Sequence, residues 1–434
     1  MFAVPVNSLS NRTTAHGIVL PFYLYGGFSF VLSCVFLWLS VSDFAGHYFT
    51  PSLLAITHTM ALGWGTMVIF GAAHQLVPVL IEGRLYSITL GYVTFALAAL
   101  GIPMLVWGFY IFDMALLAPI GSVLIILSVF AFMINMGKSM VQSQTENVHA
   151  VFIFSSAVWL MITIVLGFLL VLNFRYRVFR LDSLQYLPLH AHAGLAGWFL
   201  MLITGVAARL IPMFLISKYS RPAILWSIFW LMNVALVLFV FLYLYTPSYY
   251  LIIPSVLMFV AVLLFAYYIY RAYQNRIRKK VENPMALSLF SIVALIIPSG
   301  LALLFTFLFF AGVQLSNPVI LLYGFILFFG WISSLIMGMT FKTLPFIVWN
   351  RLYQLHNKDS QKVPNPKDMF HPLLFKIMLI SYLLGAMLFA IGIVWQLQEL
   401  MYAGSAGLLV ASVSYLLHLF FIITLKKSNR YANR

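Results

Sequence analysis

Apolar residues run in stretches of about twenty or more along nearly the whole chain, separated by short polar breaks. A stretch of that length crosses the roughly 30 Å hydrocarbon core of a bilayer as one helix. The breaks predict twelve spans, at 17–42, 51–80, 86–111, 114–137, 149–173, 186–215, 222–245, 249–270, 286–312, 318–348, 374–397 and 402–425. Lipid offers no partner to backbone N–H and C=O groups, so segments of this kind satisfy them internally as helices. The expectation is an all-α membrane protein, a single membrane domain over 1–434. No small-residue cleavage pattern follows the first span, which predicts a retained helix and not a removed signal peptide.

The pattern also repeats. His58 to Pro78 reads HTMALGWGTMVIFGAAHQLVP, His192 to Pro212 reads HAGLAGWFLMLITGVAARLIP, and Phe325 to Pro345 reads FILFFGWISSLIMGMTFKTLP. In each, the tryptophan of a Gly-Trp pair (Gly63-Trp64, Gly197-Trp198, Gly330-Trp331) stands fourteen residues before a proline, with Gly71, Gly205 or Gly338 between. His192 lies 134 residues after His58, and Trp331 lies 133 after Trp198. A unit of that length is far longer than a solenoid period and holds four spans. The twelve helices therefore divide into three blocks of four related by a pseudo-threefold axis, with internal repeats at approximately 17–137, 149–270 and 286–425. Glycine beside each tryptophan is read as a helix-packing element that permits close approach.

Composition agrees with the class. With 63% hydrophobic and 8% charged residues and a mean hydropathy of +1.03, the chain cannot furnish a water-soluble surface. Of 24 Lys and Arg residues, 21 fall on one face of the predicted topology, including the cluster from Arg271 to Lys280 and the tail from Lys426. Only Arg175, Arg177 and Arg180, between spans five and six, fall on the other. Cytoplasmic loops accumulate positive charge. Both termini are therefore predicted to be cytoplasmic, in the inner or plasma membrane. The formal net charge of +15 is then a topology signal and a contact to anionic lipid, with no soluble basic domain to hold a nucleic acid. One cysteine, Cys34, rules out a disulfide framework and a Cys-rich metal site. The longest polar stretch, Trp349 to Pro372, reads as an irregular cytoplasmic loop.

Histidine placement is the candidate chemistry. His58, His190 and His192 fall in the outer third of the predicted membrane, with His47 just before span two. Intramembrane ligating residues are costly and usually mark a site. His58 and His192 hold equivalent repeat positions, and the two rings of His190-Ala191-His192 leave the helix on different sides. The three are candidate cofactor and metal ligands. A hydrogen-bonded interhelical role is the other reading of any one of them. An inner polar layer holds His16, His74, Gln75, His149, Arg209 and Lys342. Snorkelling accounts for most of it, and His74 with His149 forms a candidate second metal site or proton entry.

Twelve spans in three blocks, cytoplasmic termini, and a histidine at the outer end of span two followed by Gly71, Ala72, Ala73, Leu76, Val77 and Pro78 resemble the heme-copper oxidase subunit I superfamily. The nearest flavours are the nitric oxide reductase catalytic subunit and the NnrS-type membrane proteins. The resemblance implies heme b and copper as cofactors, a low-spin heme on His58, and a metal ligand at His190 or His192. It further implies heme propionates pointing outward, toward Arg175, Arg177 and Arg180, whose other partners are anionic headgroups or Asp182. The histidine pair that the family carries at span seven and its His-x-His at span ten have no counterpart, since Pro222 to Tyr245 holds no histidine and Phe325 stands where the repeat calls for one. The implied function is a heme-binding membrane protein without a complete binuclear centre, an oxidoreductase of degenerate type serving electron transfer, NO-related chemistry or sensing, with a redox partner or NO as its counterpart. A transporter and a non-catalytic assembly subunit are the alternatives; transporter repeats, however, are usually twofold and inverted.

Overall fold

The computed structural model describes residues 16–81, 83–141, 147–246, 248–356 and 366–424. Arg12, Ser360 and the tail from Lys426 lie outside them. Among the described residues twelve helices are long and apolar enough to cross a membrane: α1 Gly17–Leu39, α2 Pro51–Leu80, α3 Ile88–Tyr110, α4 Leu117–Val141, α5 Val148–Tyr176, α6 Ser183–Leu215, α7 Pro222–Tyr245, α8 Tyr249–Gln274, α9 Asn283–Phe310, α10 Asn317–Asn350, α11 Pro372–Trp395 and α12 Gln398–Thr424. No β-strand forms among the described residues. Their ends are set by local chemistry. Thr50 caps α2 through Leu53 N with Pro51 in its first turn, Ser87 caps α3 through Leu90 N, and Asn147 caps α5 through His149 N. Span one ends earlier than expected because Val41–Ala45 tightens into a 3-10 turn, and α12 starts earlier because Gln398 and Glu399 supply its polar first turn. At Leu295 α9 is interrupted, three residues before Pro298, whose missing N–H breaks the ladder there.

The three helices that carry the repeated motif, α2, α6 and α10, line one shared space. Each contains one widened π-helical segment, Thr59–Thr66 in α2, Ala193–Leu200 in α6 and Ile326–Ile332 in α10. These segments begin directly after His58, His192 and Phe325, and their wider turn changes the direction in which the following side chains leave the helix. Trp64, Trp198 and Trp331, which lie inside these segments, are fully enclosed. Trp64 donates its indole N–H to Ser333 Oγ at 3.0 Å, and Trp198 donates to Thr66 Oγ1 at 3.0 Å, joining α2 to α10 and α6 to α2.

Seven residues after each tryptophan the motif glycine lets the helix touch its own block's first span. A Cβ on Gly71 would sit 2.8 Å from Phe22 Cβ, and Cβ atoms on Gly205 and Gly338 would collide with Phe152 and Ser288. The Gly-Trp glycines behave less uniformly. Gly63 packs on Ser29 and Gly197 on Trp159, but Gly330 meets only Ile326 of its own helix. Close packing therefore explains two of the three.

Candidate functional site

Between α2, α3, α4, α5 and α6, at the end of the bundle that carries His58, lies a cavity of about 280 Å³. That is near the lower end of the roughly 300–1,000 Å³ common for small-molecule and cofactor sites. Its walls are mainly apolar, with Leu105, Phe109, Ile164 and Trp198 among them and a few hydroxyls such as Thr57 and Thr163. His58 and His190 face each other inside it. Their ring centroids are 6.2 Å apart and the ring planes differ by 24°.

The backbone fixes both rings. His58 Nδ1 lies 2.8 Å from the Leu54 carbonyl, and His190 Nδ1 lies 3.0 Å from the Thr163 carbonyl. A carbonyl only accepts, so each Nδ1 carries the proton and each Nε2 keeps a lone pair. This is the tautomer in which imidazole ligates a metal, with the second ring nitrogen tied to an orienting acceptor. Phe109 packs on His58, the ring centroids 4.6 Å apart. On the other wall Gly167 makes room for His190. A Cβ there would lie 2.7 Å from His190 Cε1. Two metal–imidazole bonds of about 2 Å each, with the ring radii added, put two ring centroids about 6 Å apart, which is the spacing here.

The structure brings together two of the three histidines singled out by sequence. His192, two residues from His190, turns to the opposite side of α6, where Phe239 of α7 packs on it at 4.7 Å and its Nδ1 lies 2.7 Å from the Pro188 carbonyl. Its surroundings copy those of His58 one block later, but it does not line the cavity. His47 stacks on Tyr48 at 4.3 Å. Arg175, Arg177 and Arg180 are all exposed; Arg175 directly follows Phe174, which lines the cavity, while the three arginines themselves do not. At the same end Asp113 caps α4, and the backbone N–H groups of Leu116, Leu117 and Ala115 hold its carboxyl below the usual range, helped by Arg175.

The inner pair is not assembled in the same way. His74 is enclosed beside Phe22 and Phe132, with Nδ1 2.7 Å from the Phe70 carbonyl. His149 Nδ1 lies 2.8 Å from the Gly205 carbonyl, across the α5–α6 contact. Among the described residues no three His, Cys, Asp or Glu side chains converge as a metal group. Sequence reasoning missed Thr163 and Gly167. A glycine in the middle of an apolar span was the one signal, and nothing in the sequence said which ring it admits.

No protein-family profile matches this chain, and no curated protein does. Chains of solved structures do match, 31 of them. One is a cryo-EM structure described as a heme-copper terminal oxidase dimer; the TM-score is 0.66 at 11% identity, over 95% of this chain and 85% of that one. Identity that low shows a shared fold. The chain is an all-α, twelve-helix membrane protein with the architecture of a heme-copper terminal oxidase.

Proposed function

We propose that the cavity binds one heme b, which His58 and His190 would hold, and that the protein serves one-electron transfer across the outer half of the membrane. The observation that carries this reading is the approach of two imidazole rings, centroids 6.2 Å apart, each with its Nδ1 proton tied to a backbone carbonyl so that its Nε2 keeps a lone pair. Bound there, a heme would exchange one electron reversibly between its ferric and ferrous states.

The chain's own residues do the rest. The Leu54 and Thr163 carbonyls hold the tautomer and strengthen the imidazoles as ligands. Phe109, Ile164 and Trp198 keep water from the ring faces, and a dry surrounding favours the less charged state. Arg175, Arg177 and Arg180 offer guanidinium forks to propionates, or to a redox partner, at the end of the cavity. Were both His58 and His190 to hold the iron, the group would supply electron transfer and not reduction of a gas. Copper, the other metal that the resemblance implies, finds no three-ligand group among the described residues, so the proposal is confined to heme. We further place both termini in the cytoplasm and the protein in the plasma or inner membrane, on the strength of the charge asymmetry.

Absorbance of the purified protein, oxidised and dithionite-reduced, tests the reading. A Soret band, a sharp reduced α-band and one iron per chain are expected, with loss of the pigment in both His58→Ala and His190→Ala. His192→Ala should keep it. A colourless, metal-free protein overturns the proposal in favour of a transporter or an assembly subunit.

A further inference from the structure

A second cavity, of about 80 Å³, lies on the axis of the bundle where α2, α6 and α10 meet, on the side of the tryptophans away from His58. The three helices contribute residue for residue. Ile69, Ile203 and Ile336 form one ring, and Ala72, Val206 and Met339 form the next. The polar side chains in its lining are Tyr23, Thr340 and Thr343, and each is already engaged. Tyr415 donates to Thr340 Oγ1 at 3.1 Å, Thr343 donates to the Met339 carbonyl at 3.0 Å, and Tyr23 Oη lies 3.5 Å from Thr343 Oγ1.

Two properties follow from those contacts. A buried water needs two to four polar partners; the ring of Ile69, Ile203 and Ile336 offers none, and the hydroxyls of Tyr23, Thr340 and Thr343 already take part in the hydrogen bonds named, so this end of the space favours an apolar guest over water. It also resists collapse. The Trp64–Ser333 and Trp198–Thr66 hydrogen bonds tie the three helices at one end of the cavity, while small side chains at Ala72, Ala73 and Ala207 face into it. A void so held leaves its lining without dispersion partners on one side, and an apolar guest restores them.

We propose that this axial cavity is a binding site for an uncharged gas molecule of two or three heavy atoms, reached from the bilayer, where such gases concentrate. The volume excludes a macrocycle or a quinone ring and the lining excludes an ion. The site is separate from the histidine cavity and does not depend on a heme being there.

Xenon is the probe. Crystals of the protein in a lipid mesophase, pressurised with xenon, should show one atom on the axis between Ile69, Ile203 and Ile336. Val206→Ala should raise its occupancy by enlarging the space, and Ala72→Phe should abolish it. Ala72→Phe can fail to fold; the gain in Val206→Ala then decides the matter by itself. Ordered water on the axis, xenon found only at lipid-facing sites, or an occupancy that Val206→Ala leaves unchanged would overturn the proposal.

Discussion

Trp331 buries its indole N–H without an acceptor among the described residues, and Leu200 stands at the position that would supply one. Trp64 donates to the residue two after Trp331, and Trp198 to the residue two after Trp64. The same register sends Trp331 to the residue two after Trp198, which is leucine. Two arms of a three-membered hydrogen-bonded ring are closed and the third is open.

That asymmetry predicts the outcome of substitutions at Ser333 and Leu200. Ser333→Ala should destabilise the bundle by about 1 kcal/mol, because it leaves the enclosed Trp64 N–H unpaired. Leu200→Thr should be more stable than its isostere Leu200→Val by a similar amount, because only threonine offers the enclosed Trp331 N–H an acceptor. Thermal unfolding in detergent reads both, and a Leu200→Thr protein no more stable than Leu200→Val would show that the register argument fails for the third arm.

Gly167 should control the ligand geometry at His190. Alanine is the better helix former by about 1 kcal/mol, so Gly167→Ala gives no loss of helix stability from propensity. Its methyl group would instead sit 2.7 Å from His190 Cε1 and turn the ring. A roughly 10–100-fold loss of heme affinity is expected, the range for groups that orient a ligand. Unchanged heme content and an unchanged spectrum in a folded Gly167→Ala protein would remove His190 from the axial role.

Glu282 links α9 to α10 at the predicted cytoplasmic face. Partial burial pushes its carboxyl up, but hydrogen bonding and charge from Lys342 and Arg278 outweigh this, and the net shift is downward from the ordinary value of 4.5. A carboxyl lowered in the folded state stabilises the fold above its unfolded value, and that contribution fades as pH falls through the lower, folded one. Wild type should therefore melt above Glu282→Gln at neutral pH, and the two curves should converge below about pH 4. A gap that is constant with pH would assign the effect to packing.

Topology can be read with thiol labels, because Cys34, the chain's one cysteine, is fully enclosed. Cysteines introduced at Ser360 and Ser428 should react from the cytoplasm, and one at Ser248 from outside. Inverted labelling would move the histidine cavity to the cytoplasmic half.

The sequence by itself determined the class and the count. Apolar runs are long because the bilayer is thick, and this regularity is local, so twelve spans could be read within a few residues of their observed ends, as at α2, where both ends agree. The Gly-Trp register also marked α2, α6 and α10 as equivalent helices of a repeated pattern, and these three line one shared space. What the sequence left open was rotational phase. His190 and His192 differ by two residues and so by more than half a turn, and which of them meets His58 depends on how α6 is rotated against α2 and α5. Tertiary packing sets that angle, through the π-helical segment after His192, the Gly197–Trp159 contact and the space beside Gly167. None of these is a local property of the chain, because each depends on a side chain that arrives from another helix.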